Sequence, residues 1–138
     1  MKKLILMLAF AGFLASSYAQ TLMVNEVPAV VTKAFTKTHA KVDTVQWCKV
    51  GEAYKANYQV KEKDMAVTYT AAGKLKETEA QISVAALPTP ALKYINENFP
   101  ADNVKWASKV TNAKGKLIYD VKIKGMDLKF DSNGKIIK

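Results

Sequence analysis

The sequence predicts an α+β fold: two tandem helix-plus-antiparallel-strand units forming one sheet, with helices packed on one face. Three observations predict it. Apolar residues recur at helical spacing in two short stretches. In the segments after each stretch, apolar and polar residues alternate with a period of two. Most of this text also occurs twice. "MAVTYTAAGKLK" at 65–76 returns as "MDLKFDSNGKII" at 126–137, each alternating to an aromatic and turning at Gly-Lys.

The chain opens on Lys2 and Lys3, followed by the apolar run Leu4 to Ala15 and the small-residue site Ser17-Tyr18-Ala19. Such a run has the length of a signal-peptide core and falls short of the roughly 20 apolar residues of a membrane span. Residues 1–19 are therefore expected to be a signal peptide cut after Ala19. The mature chain, 20–138, is expected to be periplasmic or secreted, with no membrane span after signal cleavage. Taking 19 residues from 138 leaves 119, and losing Lys2 and Lys3 lowers the formal net charge from +9 to +7. That length suits two small units, expected at 20–84 and 85–138, sharing one core. Cys48 is the single cysteine, so packing rather than an internal disulfide must hold the fold. All 21 basic residues are lysine. Without the bidentate grip of arginine, the charge favours diffuse attraction to acidic surfaces over nucleic-acid reading, and no nucleic-acid partner is expected.

The correspondence between the halves runs through the whole mature chain. Val27-Pro28 matches Leu87-Pro88 and Phe35 matches Ile95 at an offset of 60. "VQW" at 45–47 matches "VKW" at 104–106 at 59. Tyr58 to Lys61 matches Tyr119 to Lys122, and Met65, Val67 and Tyr69 match Met126, Leu128 and Phe130, at 61. A first helix is expected from Val27 to about Thr38, with Pro28 in its first turn. A second is expected from Thr89-Pro90, with Thr89 as N-cap, burying Ala91, Leu92, Ile95 and Phe99 and stopped by Pro100. Strands are expected at 44–49 and 103–109, placing Val45 with Trp47, and Val104 with Trp106, on one core-facing side. The next strands turn Tyr54, Ala56, Tyr58 and Val60, and Leu117, Tyr119, Val121 and Ile123, inward. Third strands turn Met65, Val67 and Tyr69, and their counterparts, the same way. Turns are expected at "KEKD" (61–64), Lys124-Gly125 and "DSNG" (131–134), with fourth strands beginning at Leu75 and Ile136. One unit alone is too small to be secure, which explains the repetition.

"YDVKIKGMDLKFDSNGKII" at 119–137 resembles the PepSY-type pattern, in which Tyr-x-Val-x strands lead into a strand ending Asp-x-x-Gly-Lys-Ile. The tandem form, with "VP" or "LP" opening each helix and Trp in the following strand, is similar to PepSY-like proteins of bacterial envelopes. Their fold is likened to the β-lactamase-inhibitor protein. The likeness runs from about Val27 to Lys138 and rests on turns and core positions. It implies tandem α-β units in one antiparallel sheet, and no defined activity. "TAAG" at 70–73 lacks the Asp of "DSNG", and His39 stands where Phe99 stands in the second copy.

The residues point away from catalysis, and no cofactor or metal site is expected. His39, the single histidine, is expected to pack at a helix end, and no spacing brings it to Cys48. "DSNG" lacks the further ligands of a calcium loop and reads as a hairpin turn. What remains is the wet side of the sheet. Its candidate binding residues are Lys55, Asn57, Gln59, Lys61, Lys122, Lys124 and Lys129, with the aromatics expected on the opposite side. The expected function is a non-catalytic exported binding module contacting an acidic protein, peptide or polysaccharide, with peptidase inhibition as a variant. A self-associating envelope protein and an unrecognised enzyme are the alternatives. The sequence does not specify the oligomer.

Overall fold

The computed structural model describes residues 19–101 and 103–137. The expected signal segment lies outside them apart from Ala19. Among the described residues are two α-helices and nine strands, each strand hydrogen-bonded to its sequence neighbours in an antiparallel α+β arrangement. The chain divides into two compact units between Thr78 and Glu79, and each is taken in turn.

The first unit holds α1 (Ala29–Thr38) and the strands β1 (Ala19–Leu22), β2 (Gln46–Val50), β3 (Ala53–Val60) and β4 (Lys63–Tyr69). It also holds the start of β5 (Leu75–Gln81), within which the boundary falls. Pro28 is the N-cap of α1 rather than part of its first turn. Its φ of −55° leads the chain into helical geometry without a side-chain cap. The helical stripe Val27, Val31 and Phe35 packs on Trp47, Ala56, Tyr58, Val67 and Tyr69, so the inward faces of β2, β3 and β4 are those the alternation predicts. β1 is an addition that the sequence did not announce. It pairs with β2, setting Leu22 opposite Trp47 at the edge of this core.

The second unit runs from Glu79 through α2 (Thr89–Asn98), β6 (Val104–Asn112), β7 (Leu117–Ile123), β8 (Met126–Asp131) and β9 (Ile136–Ile137). Leu87, Ala91 and Ile95 pack on Ala107, Val121, Ile123 and Phe130, with Leu92 and Phe99 at the margin. The N-cap of α2 is Pro88, and no side chain caps the helix. Thr89 is the first helical residue instead, because Pro88 already supplies the extended geometry that a cap needs.

Two further expectations need correction. The β3–β4 turn is the pair Lys61-Glu62, both left-handed at φ 50° and 67°, while Lys63 and Asp64 belong to β4. Consequently Tyr54 pairs with Tyr69, whereas Tyr119 pairs with Phe130. β4 and β8 correspond at an offset of 61, but the strands facing them correspond at 65, so the matched Tyr58 and Tyr119 are not structural equivalents. The slip is four residues. Being even, it leaves every side chain on its face. The second correction concerns strand ends. Val60 and Met126 have the inward parity but are 43% and 42% exposed, because they flank the hairpin turns beyond the cover of the helix.

The repeated Gly-Lys turns have a packing reason. In each, the glycine N–H closes the turn, Gly73 to Thr70 O and Gly134 to Asp131 O, both at 2.9 Å. Their φ values are +83° and +86°. A Cβ on Gly73 would lie 2.9 Å from Val30 O, and one on Gly134 would lie 2.8 Å from Pro88 Cβ. The hairpin turn thus seats the first turn of the helix in each unit, and only hydrogen fits between them. Gly115 has the same φ range over open space. Chemical denaturation should therefore show Gly115→Ala losing about 1 kcal/mol, the left-handed cost alone. Gly134→Ala should lose about 2–4 kcal/mol, since overpacking adds to it. Equal losses would remove the helix-seating role.

Candidate functional site

The candidate residues lie on the side of each unit's strands away from its helix, or in the turns that end them. In the first unit, Lys55 is half-buried, Asn57 buried and Gln59 exposed along β3, while Lys61 is exposed in the turn. In the second, Lys122 is half-buried on β7, Lys129 is exposed on β8 and Lys124 is a left-handed turn residue at φ 52°. The structure brings Asn57 and Gln59 onto one polar row and Lys122 and Lys129 onto another, with Lys61 and Lys124 at strand ends.

The first unit's row is drier than alternation alone implies. Register sets Gln46 opposite Asn57 and Asn57 opposite Ala66, with Cys48 opposite Lys55 and Lys55 opposite Thr68. Asn57 is 0% and Cys48 1% exposed, and Thr68 is buried with them. The Asn57 amide explains part of this. It lies along the sheet, donating from Nδ2 to Gln46 O and to Cys48 Sγ, each at 3.3 Å, and so does not reach for solvent. Its Oδ1 is buried with no hydrogen-bond partner among the described residues, a cost of about 1–3 kcal/mol if left so. At the strand end, Gln59 Nε2 donates to Asp64 Oδ1 at 2.8 Å. Burial pushes the Cys48 thiol above its ordinary pKa, partly offset by the Asn57 hydrogen bond and the Lys55 charge.

The second unit's row contains a residue that sequence reasoning placed inside. Val104 pairs with Ile123, but Trp106 pairs with Lys122, so the register shifts by one residue at Lys105. This β-bulge reverses parity. Ala107 takes the core position opposite Val121, and Trp106 turns outward. The aromatics therefore do not all point toward the helix. Lys122 Nζ lies 5.8 Å from the Trp106 ring centroid and 3.5 Å from Asp127 Oδ1. Lys129 Nζ donates to Asp120 Oδ2 at 3.2 Å, and Ser108 Oγ donates to Glu79 Oε2 at 2.8 Å. The sequence held one signal of the bulge: Trp106 stands 59 residues after Trp47, one short of the offset of 60 that relates the helices.

On the helix side of the first unit, His39 stacks on Phe35 at 4.5 Å between ring centroids and meets Tyr58 edge-on at 5.3 Å. This is the packing role expected of it. Its Nδ1 is 2.7 Å from Thr38 Oγ1. An open recess of about 280 Å³ lies beside it, floored by Phe35 and Trp47 and edged by Thr36 and Asp43. That is smaller than most ligand pockets. Trp47 belongs to this core while its neighbour Cys48 projects to the other face, so β2 stands between His39 and Cys48. They form no nucleophile–base pair. Among the described residues there is no group of three or more metal-ligating side chains, and no helix is long and apolar enough to cross a membrane. The "DSNG" segment is a turn, with Asp131 Oδ1 accepting from the Asn133 and Lys135 N–H groups, each at 2.9 Å.

Helix-on-strand units of this kind are a scaffold, on which function is set by the residues displayed rather than by the fold. The chain belongs to the PepSY-like family, described as "Putative beta-lactamase-inhibitor-like, PepSY-like", whose model matches residues 16–77 and 52–138. Solved structures share the fold at low identity. A DUF2874 family protein from Bacteroides uniformis is 18% identical with a TM-score of 0.71, over 80% of this chain and 86% of that one. A BLIP-like protein from Bacteroides fragilis is 19% identical with a TM-score of 0.58, over 80% and 84%. Another, from Bacteroides eggerthii and described as "putative periplasmic proteins", is 15% identical with a TM-score of 0.73, over 81% and 86%. No curated protein matches the chain.

Burial of Cys48 makes a direct test. Because the folded state holds the thiol proton more tightly than the unfolded chain does, its contribution to stability is present below the ordinary thiol pKa and fades as pH rises past it. Labelling of Cys48 by an aromatic disulfide reagent near pH 8 should be slower in the native protein than in guanidinium by about a hundredfold or more. Equal rates would place the thiol at the surface.

Proposed function

We propose that the protein is an exported, non-catalytic binding module, acting in the periplasm or outside the cell. It meets an acidic partner through lysines on and around the outer sheet face. The observation that carries this is the segregation within the second unit. Tyr119, Val121 and Phe130 face the helix, while Lys122 and Lys129 carry their ammonium groups on the opposite side. Their aspartate partners do not silence them. Each pair has one exposed and one half-buried member, so a partner's acidic group reaches Lys129 directly and reaches Lys122 by displacing the exposed Asp127. The mature charge of +7 adds long-range attraction, screened over about 10 Å at 0.1 M salt. The family's likeness to an inhibitor and the neighbour described as periplasmic agree with a binding role outside the cytoplasm.

The test separates face from net charge. Retention of the mature chain on polyglutamate should fall steeply with salt. It should be lost in Lys122→Glu/Lys124→Glu/Lys129→Glu and largely kept in Lys33→Glu/Lys37→Glu/Lys41→Glu, which carries the same net charge. Salt-independent retention, or equal loss in both triple variants, would contradict the proposal.

A further inference from the structure

We infer that Gln20 is a modification site: once the chain is cut after Ala19, the freed α-amine closes on the residue's own side-chain amide, and the mature protein begins with a pyroglutamyl lactam. The inference rests on the export reading above, since the amine exists only after that cut. Within the uncut chain the Gln20 nitrogen belongs to a resonance-stabilised peptide bond and is no nucleophile. The small-residue site Ser17-Tyr18-Ala19 places the cut so that glutamine leads the mature chain. The step is intramolecular and balances without a co-reactant. The amine nitrogen attacks Cδ, the new N–Cδ bond closes a five-membered ring, and the bond from Cδ to Nε2 breaks, releasing ammonia. An α-amine has an ordinary pKa of about 8, so a neutral, nucleophilic fraction is present near neutral pH.

The place of Gln20 in the fold leaves room for the ring and gives it a consequence. Gln20 is exposed at the start of β1, opposite Lys49 on β2, and Ala19, which pairs with Val50, leaves with the signal segment. The cut therefore puts an ammonium on residue 20 at the register position facing Lys49, whose Nζ lies 5.6 Å from the Tyr54 ring centroid. Like charges directly opposite one another on paired strands are destabilising, and the lactam removes one of them. The ring retains one N–H and the Gln20 carbonyl, so the residue keeps the backbone groups with which a strand pairs. It also takes away the free ammonium that an aminopeptidase needs. That matters here, because among the described residues β1 is a sheet edge of four residues paired with β2, and it sets Leu22 opposite Trp47 at the margin of the first core. Chain termini are where proteolysis concentrates unless they are tied down.

The test is intact-mass spectrometry and Edman degradation of the protein recovered promptly after export from the full-length chain. The wild type should weigh one ammonia less than residues 20–138. It should give no Edman signal until pyroglutamyl aminopeptidase removes the ring and exposes Thr21. Gln20→Asn, whose side chain is one methylene too short for a five-membered lactam, should keep the full mass of its cut chain and give an Edman signal directly. A wild-type chain that begins at Gln20 with a free amine would overturn the cyclisation and leave the export reading standing. A Gln20→Asn chain blocked like the wild type would overturn the side-chain amide as the group that closes. A chain that begins at another residue would overturn the cyclisation together with the cut after Ala19, and one recovered uncut would overturn the export reading as well.

Discussion

A β-strand presents its side chains to two faces in turn, and this parity governs every assignment in the molecule. In each unit a single helix covers one face of the strands, so a residue's odd or even place decides whether it joins the core or the outer row. Parity tolerates even changes and is reversed by odd ones. The four-residue slip between the two hairpins therefore costs nothing in core composition, and both cores keep an aromatic from the third strand, Tyr69 in one and Phe130 in the other. The single extra residue at Lys105 does the opposite and moves a tryptophan across the sheet.

The turn glycines are the second constraint, because parity fixes a face but not the distance at which the helix rests on it. Gly73 and Gly134 set that distance by bringing the hairpin backbone against Val30 and Pro88. This explains why Gly-Lys survives in both halves although the residues before it differ. "TAAG" and "DSNG" close the same backbone turn, one with a threonine hydroxyl accepting from the Lys74 N–H and the other with an aspartate accepting two N–H groups. The side chains vary because they only support the turn. The glycine does not vary, because the helix occupies the space a side chain would need.

Much of the fold was legible in the sequence because it is written as periodicity: both helical stripes, the inward set of β3, β4, β7 and β8, and the starts of β5 and β9. What was not legible depends on events that leave no periodic trace. β1 is four residues beside the expected cleavage point, too short to show alternation. The Lys61-Glu62 turn uses two non-glycine residues with positive φ, where composition favours the longer "KEKD". The candidate face was legible in its lysines but misjudged in its middle, where hydrogen bonds along the sheet hold Asn57 flat beside buried Cys48. Trp106 was misplaced because matching it to Trp47 carried over the residue type without the register.

The two tryptophans give the most direct measurement of the parity account. Acrylamide quenching should be compared between Trp47→Phe, which leaves Trp106 as sole reporter, and Trp106→Phe, which leaves Trp47. The account predicts that emission from Trp106 is the more red-shifted and the more readily quenched of the two, with Trp47 the more protected. Equal protection of both rings, or the reverse order, would contradict it.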